Sequence, residues 1–238
     1  MQGVILMNVL AIDSSNVTMG VALVNGEGIL GELITNVKKN HSVKLMPAIE
    51  QLMKETELTP RELDRIAVAI GPGSYTGVRI GVTIAKTLAW TLQTELVAVS
   101  SLAILAQNGQ FFEGVVCPLF DARRGQVYTG LYGVGSDQMK MIEEDRIVLL
   151  SDWLETVKII DKSILFLGQD VKLHQTMIEN KLGKQAVFAK PTNNQPRPSE
   201  LALLGRVGEP VKDIHGLVPA YLQLTEAETK WVAQQERN

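Results

Sequence analysis

Few side chains in this sequence are of types that do chemistry, and their spacing limits what they could do. The three histidines, His41, His174 and His215, lie far apart, and none has a second histidine at helical spacing. A metal site built on a helix face needs such a pair, so no metal centre is expected. His41 falls at a helix start and reads as a capping or packing residue. The lone Cys117 sits in the apolar run Val115–Phe120 and reads as an inert core thiol in a reducing compartment. The glycine-dense stretch Gly71–Gly77, GPGSYTG, could let backbone N–H groups approach a phosphate, but it lacks a phosphate-binding lysine at the expected spacing. Two acids end apolar runs. Asp13 closes NVLAID before Ser14-Ser15-Asn16, and Asp121 closes VVCPLFD before Ala122-Arg123-Arg124-Gly125.

The elements that must position these residues follow from hydrophobic period and punctuation. Asn8–Asp13, Val17–Val24 and Gly28–Val37 read as an antiparallel meander, and Ser42–Glu55 as a helix with Leu45, Met46, Ile49, Leu52 and Met53 on one face. Pro47 is expected to kink or delay that helix. Thr59–Glu62 is a short helical turn before the buried strand Ile66–Ile70. A helix then opens from the glycine loop with Ser74 or Thr76 as cap, followed by strand Glu95–Val99 and helix Ser100–Gln107. The pattern then restarts: strands Val115–Asp121, Gln126–Val134 and Met139–Leu149, a helix over 152–160 capped by Ser151, strand Ile164–Leu167 and a helix over 171–182. An irregular link, Asn193–Pro198, precedes a helix capped by Ser199, and residues 216–238 have no assigned place. VLAID, a loop and TMGVALV match CPLFD, a loop and YTGLYGV, which indicates an internal duplication. The expected architecture is α/β in two domains, 1–110 and 111–238.

The helix that leaves the glycine loop is unusual. Val78, Val82, Ala85, Ala89 and Leu92 form one apolar stripe, flanked by Gly81 and Leu88. The opposite side carries Ile80, Thr83, Ile84, Thr87, Trp90 and Thr91, which leaves Arg79 and Lys86 in a narrow strip between two poorly charged faces. Such a helix is either buried between elements of its own chain or presents its second face to another subunit.

Bulk properties exclude several classes. The chain has 238 residues, a net charge of −3 and a hydrophobic fraction of 45%, as expected of a globular protein with an ample core. That balance argues against a protein that binds nucleic acid through its own field, since Lys38-Lys39 and Arg123-Arg124 are the only tight basic pairs. No stretch approaches a membrane span and the N-terminus lacks a basic leader, so a cytoplasmic protein is expected. Met7 is an alternative start.

Two halves that each open with a strand, an acid, a hairpin and a third strand resemble the duplicated fold of actin-like, Hsp70-like and sugar-kinase (ASKHA) proteins. VLAIDSS, NHSVKLMP, IAVAIGPGSYTGVRIGVTIAKTLAW, PLFDARRGQVYTGLY and PAYLQ, in that order over nearly the whole chain, are similar to the TsaB (YeaZ) family of bacterial threonylcarbamoyladenosine biosynthesis proteins. The resemblance implies a role in forming N6-threonylcarbamoyladenosine at position 37 of tRNAs that read codons beginning with A. It also implies a non-catalytic scaffold that activates a TsaD-type catalytic subunit, with a TsaE-type ATPase joining and a separate enzyme supplying threonylcarbamoyl-adenylate. Dimerisation, with itself when alone or with that partner, is then expected through Tyr75, Ile80, Thr83, Ile84, Thr87, Trp90 and Thr91.

In the broader fold, acid-bearing hairpin turns hold the phosphates and metal of a nucleotide. By that resemblance Asp13, Ser14, Ser15 and Asp121 are candidate remnants of a nucleotide cleft. The second turn has Ala122-Arg123-Arg124 where kinases of this fold have small residues, and Phe166–Asp170 has a single glycine. No cofactor is expected to bind tightly to this chain alone; ATP or ADP and metal are expected on partner subunits, and tRNA only through the complex. The alternative is a small ATP-dependent phosphotransferase using Asp13 and Asp121. Arg123 and Arg124 could contact tRNA phosphate or a partner's acids, or be a solvated pair.

Overall fold

The computed structural model describes residues 7–37, 40–136 and 138–222, so Lys38-Lys39 and the C-terminal segment beyond Leu222 lie outside the described residues. Strands β1 (Val9–Asp13), β2 (Met19–Asn25) and β3 (Gly28–Thr35) form the anticipated antiparallel meander. After α1 (His41–Glu55), β4 (Arg65–Ala69) joins the free side of β1 in parallel. After α2 (Tyr75–Leu92), β5 (Glu95–Val99) extends the sheet to the order β3-β2-β1-β4-β5. A short helix, α3 (Ser101–Ala106), leads into the second half.

There β6 (Val115–Arg123), β7 (Gln126–Val134) and β8 (Met139–Leu149) repeat the meander. They are followed by α4 (Leu150–Lys158), β9 (Ile164–Leu167), α5 (Val171–Leu182), β10 (Ala186–Phe188) and α6 (Pro198–Val207). The order β8-β7-β6-β9-β10, with the same strand senses, makes the second sheet a copy of the first. The duplicated ASKHA fold expected from sequence is the fold observed.

Central strands are covered on both faces and therefore read as unbroken apolar runs. In β1, Leu10 and Ile12 pack with α1 and α2, while Val9 and Ala11 turn to Leu201 and Ala202 of α6. The last helix of each half crosses over. Leu102 and Leu105 of α3 pack against Val116 and Leu167 of the second sheet, and α6 returns to lie on the first. Charge holds α6 there. Arg65 on β4 donates from Nη1 to the carbonyls of Gly205, Arg206 and Gly208 at 3.0, 2.8 and 3.1 Å, and Glu32 Oε1 on β3 accepts from Ser199 N at 2.8 Å. A cation thus meets the C-terminal end of the helix dipole and an anion the N-terminal end.

Local expectations are corrected in four places. Ser199 lies inside α6, whose cap position is Arg197 with Pro198 at the first helical residue, so Glu32 supplies the missing acceptor. Ser151 lies inside α4, its hydroxyl donating to Asp152 Oδ1 at 3.0 Å. Helix α1 begins at His41 and continues unbroken past Pro47, so the delay is not seen; the carbonyl that loses its partner belongs to Val43, a residue that is 64% exposed. Met46 is largely exposed, and Ala48 takes the inward place. The three-residue edge strand β10 was not anticipated, being too short to carry a period.

Candidate functional site

The first hairpin turn is sealed by the glycine loop. Ser74 N donates to Ser15 O at 2.7 Å, and Ser14 Oγ donates to Gly77 O at 2.8 Å. A Cβ at Gly73 would stand 2.2 Å from Ser15 O, and one at Gly77 2.2 Å from Ser14 O, so only glycine admits this approach. Beneath the loop Asp13 is 2% exposed, and Ser14 and Ser15 are equally buried. Asp13 Oδ1 accepts from Ser15 N at 2.8 Å, whereas Oδ2 has no partner among the described residues. Burial pushes the Asp13 carboxyl above its ordinary range, against the opposing Ser15 hydrogen bonds. His41 Nε2 lies 3.0 Å from Asn16 O and ties the start of α1 to the same turn.

The second turn is built from side chains instead. Asp121 is partly exposed, with Oδ1 2.9 Å from His174 Nε2 on α5 and Oδ2 accepting from Arg123 N at 3.2 Å. Its own N–H donates to Asp170 Oδ2 at 3.0 Å. Arg123 and Arg124 are exposed at the tip, with φ of 66° and 53°. Sequence reasoning missed this Asp121–His174–Asp170 cluster. The signal was available in the duplication, because α5 repeats α2 and must begin beside the second turn as α2 begins beside the first.

Uncharged side chains join the two halves near these turns. Gln169 Nε2, just before α5, donates to Thr18 Oγ1 at 3.1 Å and Asn36 Oδ1 at 3.3 Å, and Asn36 Nδ2 donates to Gln195 Oε1 at 2.7 Å. Asn108 Nδ2 donates to the carbonyls of Asn193 and Gln195 at 3.0 and 2.7 Å.

Helix α2 starts from the sealed loop, with Ser74 as its cap: Ser74 Oγ accepts from Gly77 N at 3.3 Å. Val78, Val82, Ala85 and Ala89 are buried, with Gly81 beside them. On the other face Thr83, Thr87 and Thr91 are exposed, Trp90 is 57% exposed, and Ile80 and Ile84 are half-buried against the core. Thr87 Oγ1 donates to Thr83 O at 2.9 Å, which removes a donor from that face. The helix's two charges are drawn aside by a C-terminal strap. Lys86 Nζ donates to the carbonyls of His215 and Leu217 at 2.8 Å each, and Arg79 Nε donates to the Tyr221 hydroxyl. Tyr75 and Tyr221 rings lie 5.3 Å apart, Trp90 and His215 5.8 Å, and Ala220 N donates to Ile70 O at 2.8 Å. On the far flank, Met46, Pro47 and Met53 of α1 and Leu88 and Leu92 of α2 line an apolar cavity of about 450 Å³. Sequence patterning found neither strap nor cavity, since each is made by segments distant in the chain.

The family model for TsaD, tRNA N6-adenosine threonylcarbamoyltransferase, matches residues 28–231. The tRNA threonylcarbamoyladenosine biosynthesis protein TsaB of Bacillus subtilis (strain 168) is 52% identical over 230 residues, 97% of this chain and 100% of that protein. The chain belongs to the TsaB family. The TsaB of Escherichia coli (strain K12) is 32% identical over 128 residues, 53% of this chain and 55% of that protein. The structure of YeaZ from Pseudomonas aeruginosa, 24% identical, superposes with a TM-score of 0.75 over 91% of this chain and 100% of that one, and so shares the fold. This is the family indicated by the motif resemblance, and membership ties the chain to tRNA threonylcarbamoyladenosine biosynthesis. Among the described residues no helix is long and apolar enough to cross a membrane.

Proposed function

We propose that this chain is a non-catalytic docking subunit of the assembly that forms N6-threonylcarbamoyladenosine in tRNA, and that it acts in the cytoplasm. Its partner is a TsaD-type catalytic subunit, with a TsaE-type ATPase joining; alone, it pairs with a second copy. The observation that carries the reading is the outer face of α2, where Thr83, Thr87, Trp90 and Thr91 are exposed while Arg79 and Lys86 are held aside by the strap. A weakly polar face beside an apolar cavity costs little to desolvate and gains by burial against a partner. Tyr75, Ile80 and Ile84 belong to the same seam.

Nucleotide and metal belong to the partner subunits on this reading. Donors of the first turn that would meet a phosphate are engaged elsewhere, since Ser15 N donates to Asp13 Oδ1 and Ser14 Oγ donates to Gly77 O. The three histidines serve separate places, His41 at Asn16, His174 at Asp121 and His215 at Trp90. Co-purification with a TsaD-type partner, followed by a modification assay with each subunit omitted in turn, tests the proposal. Full activity without this chain would overturn it. The rival phosphotransferase using Asp13 and Asp121 requires Mg-ATP to bind the isolated chain with micromolar affinity and turnover, which calorimetry measures; the burial of Asp13 weighs against it.

A further inference from the structure

The second half carries a solvent-facing concavity that shares no lining residue with α2. It has a volume of about 550 Å³ and is lined by Phe111, Phe112, Val134, Ile142, Lys140 and Lys162, with Glu113 at its rim. Phe111, in the link between the halves, is 95% exposed, whereas a Cβ at Gly114 would fall 2.5 Å from Phe112 Cε1, so the second ring lies packed over bare backbone. Val134 and Ile142 are more than half exposed. The stem of Lys140 lies along Gly135, where a Cβ would stand 2.9 Å from Lys140 Cγ, and this lays the stem flat against the wall. Among the described residues neither Lys140 nor Lys162 takes part in an ion pair.

An exposed aromatic ring that shares a concavity with two lysines, neither ion-paired among the described residues, fits poorly to an apolar protein knob, which would desolvate two cations with one lining carboxylate to answer them. It fits a nucleotide segment, in which the base face stacks on the ring and consecutive phosphates answer both charges. We propose that this concavity holds an unpaired nucleotide of the tRNA on which the complex acts, the base stacked on Phe111 and the flanking phosphates neutralised by Lys140 and Lys162. The proposal rests on the reading of the chain as a subunit of a tRNA-modifying assembly. With two lysines on a chain of net charge −3, the site adds to RNA held by the partners and captures none alone.

The test uses the assembled complex, with kcat and KM for tRNA measured across a salt series. Phe111→Leu keeps an apolar side chain and loses the stacking surface. KM is expected to rise at least about fivefold, the low end of stacking energies, with kcat unchanged, and Phe111→Trp is expected to restore it. Lys140→Gln with Lys162→Gln is expected to flatten the dependence of log KM on log salt by about 1.4, at roughly 0.7 per phosphate contacted. Glu113→Gln is expected to lower KM. Unchanged KM and salt slope in these variants overturn the proposal, and so does failure of the variants to assemble, which makes the patch a protein contact. A wild-type chain that neither assembles nor supports modification fails the docking role itself and is recognised before any variant is made.

Discussion

The two hairpin turns occupy equivalent places in a duplicated topology, and the chain treats them differently. In the first, backbone meets backbone: Gly73 and Gly77 press the start of α2 onto the carbonyls of Ser15 and Ser14, and Asp13 is left beneath them. In the second, Asp121, Asp170 and His174 meet through side chains, and Arg123 and Arg124 stand in solvent. Backbone contact of the first kind tolerates no added atom, whereas polar contact of the second kind tolerates substitution and responds to charge. Duplication therefore supplied one plan, and the glycines spent its first copy on fixing a helix. That fixed helix is the one whose outer face lacks charge.

The largest expected effect is at the sealed turn. Gly77→Ala puts a methyl into Ser14 O and should cost roughly 3–5 kcal/mol of stability in chemical denaturation, since neither backbone can yield. Asp170→Ala in the second half should cost only about 1 kcal/mol. Equal losses would break the contrast between the turns.

Helices α2 and α5 allow the next comparison. Thr87→Arg should weaken subunit association about 100-fold or more by placing an unpaired charge in the seam, while Thr176→Arg on the exposed side of α5 should leave it unchanged. Analytical ultracentrifugation reads both. Ile84→Glu is the less clean variant, because Ile84 also packs on the core, and it should lower stability along with association.

Asp13 gives a pH signature of its own. Its raised folded-state pKa means that the unfolded chain releases the proton first, so its contribution falls as pH rises above 3.8 toward the folded value. Asp13→Asn should therefore raise the melting temperature at pH 7, and the gain should shrink to nothing as pH falls below 3.8. A gain that grows in acid would show that the carboxylate is stabilised as an anion. The smallest effect is at the junction of the halves. Gln169→Ala should cost about 1 kcal/mol, and a double-mutant cycle with Asn36→Ala should show coupling of roughly half that or more.

Several strands were legible from sequence to the residue: Gln126–Val134, Met139–Leu149 and Ile164–Leu167 are found where the pattern and its turn punctuation place them. The two faces of α2 were legible too, because a period of 3.6 depends on local order alone. Helix caps were less so. Ser151 and Ser199 have the right chemistry for caps, yet the α4 start lies elsewhere and the acceptor at α6 comes from Glu32, which is 167 residues away from Ser199. The strap was invisible for the same reason, since Lys86 reaches carbonyls at His215 and Leu217 that no local pattern links to it.

The sequence by itself determined the duplicated architecture, the family and the weakly charged second face of α2, because periodicity and motif order are properties of neighbouring residues. Tertiary structure decided what those features mean. It showed that GPGSYTG closes over the first turn, that Asp13 lies beneath it, and that Arg79 and Lys86 are turned aside by a segment more than a hundred residues later. Such contacts depend on which surfaces meet after folding, and chain-local chemistry cannot encode that in any short window.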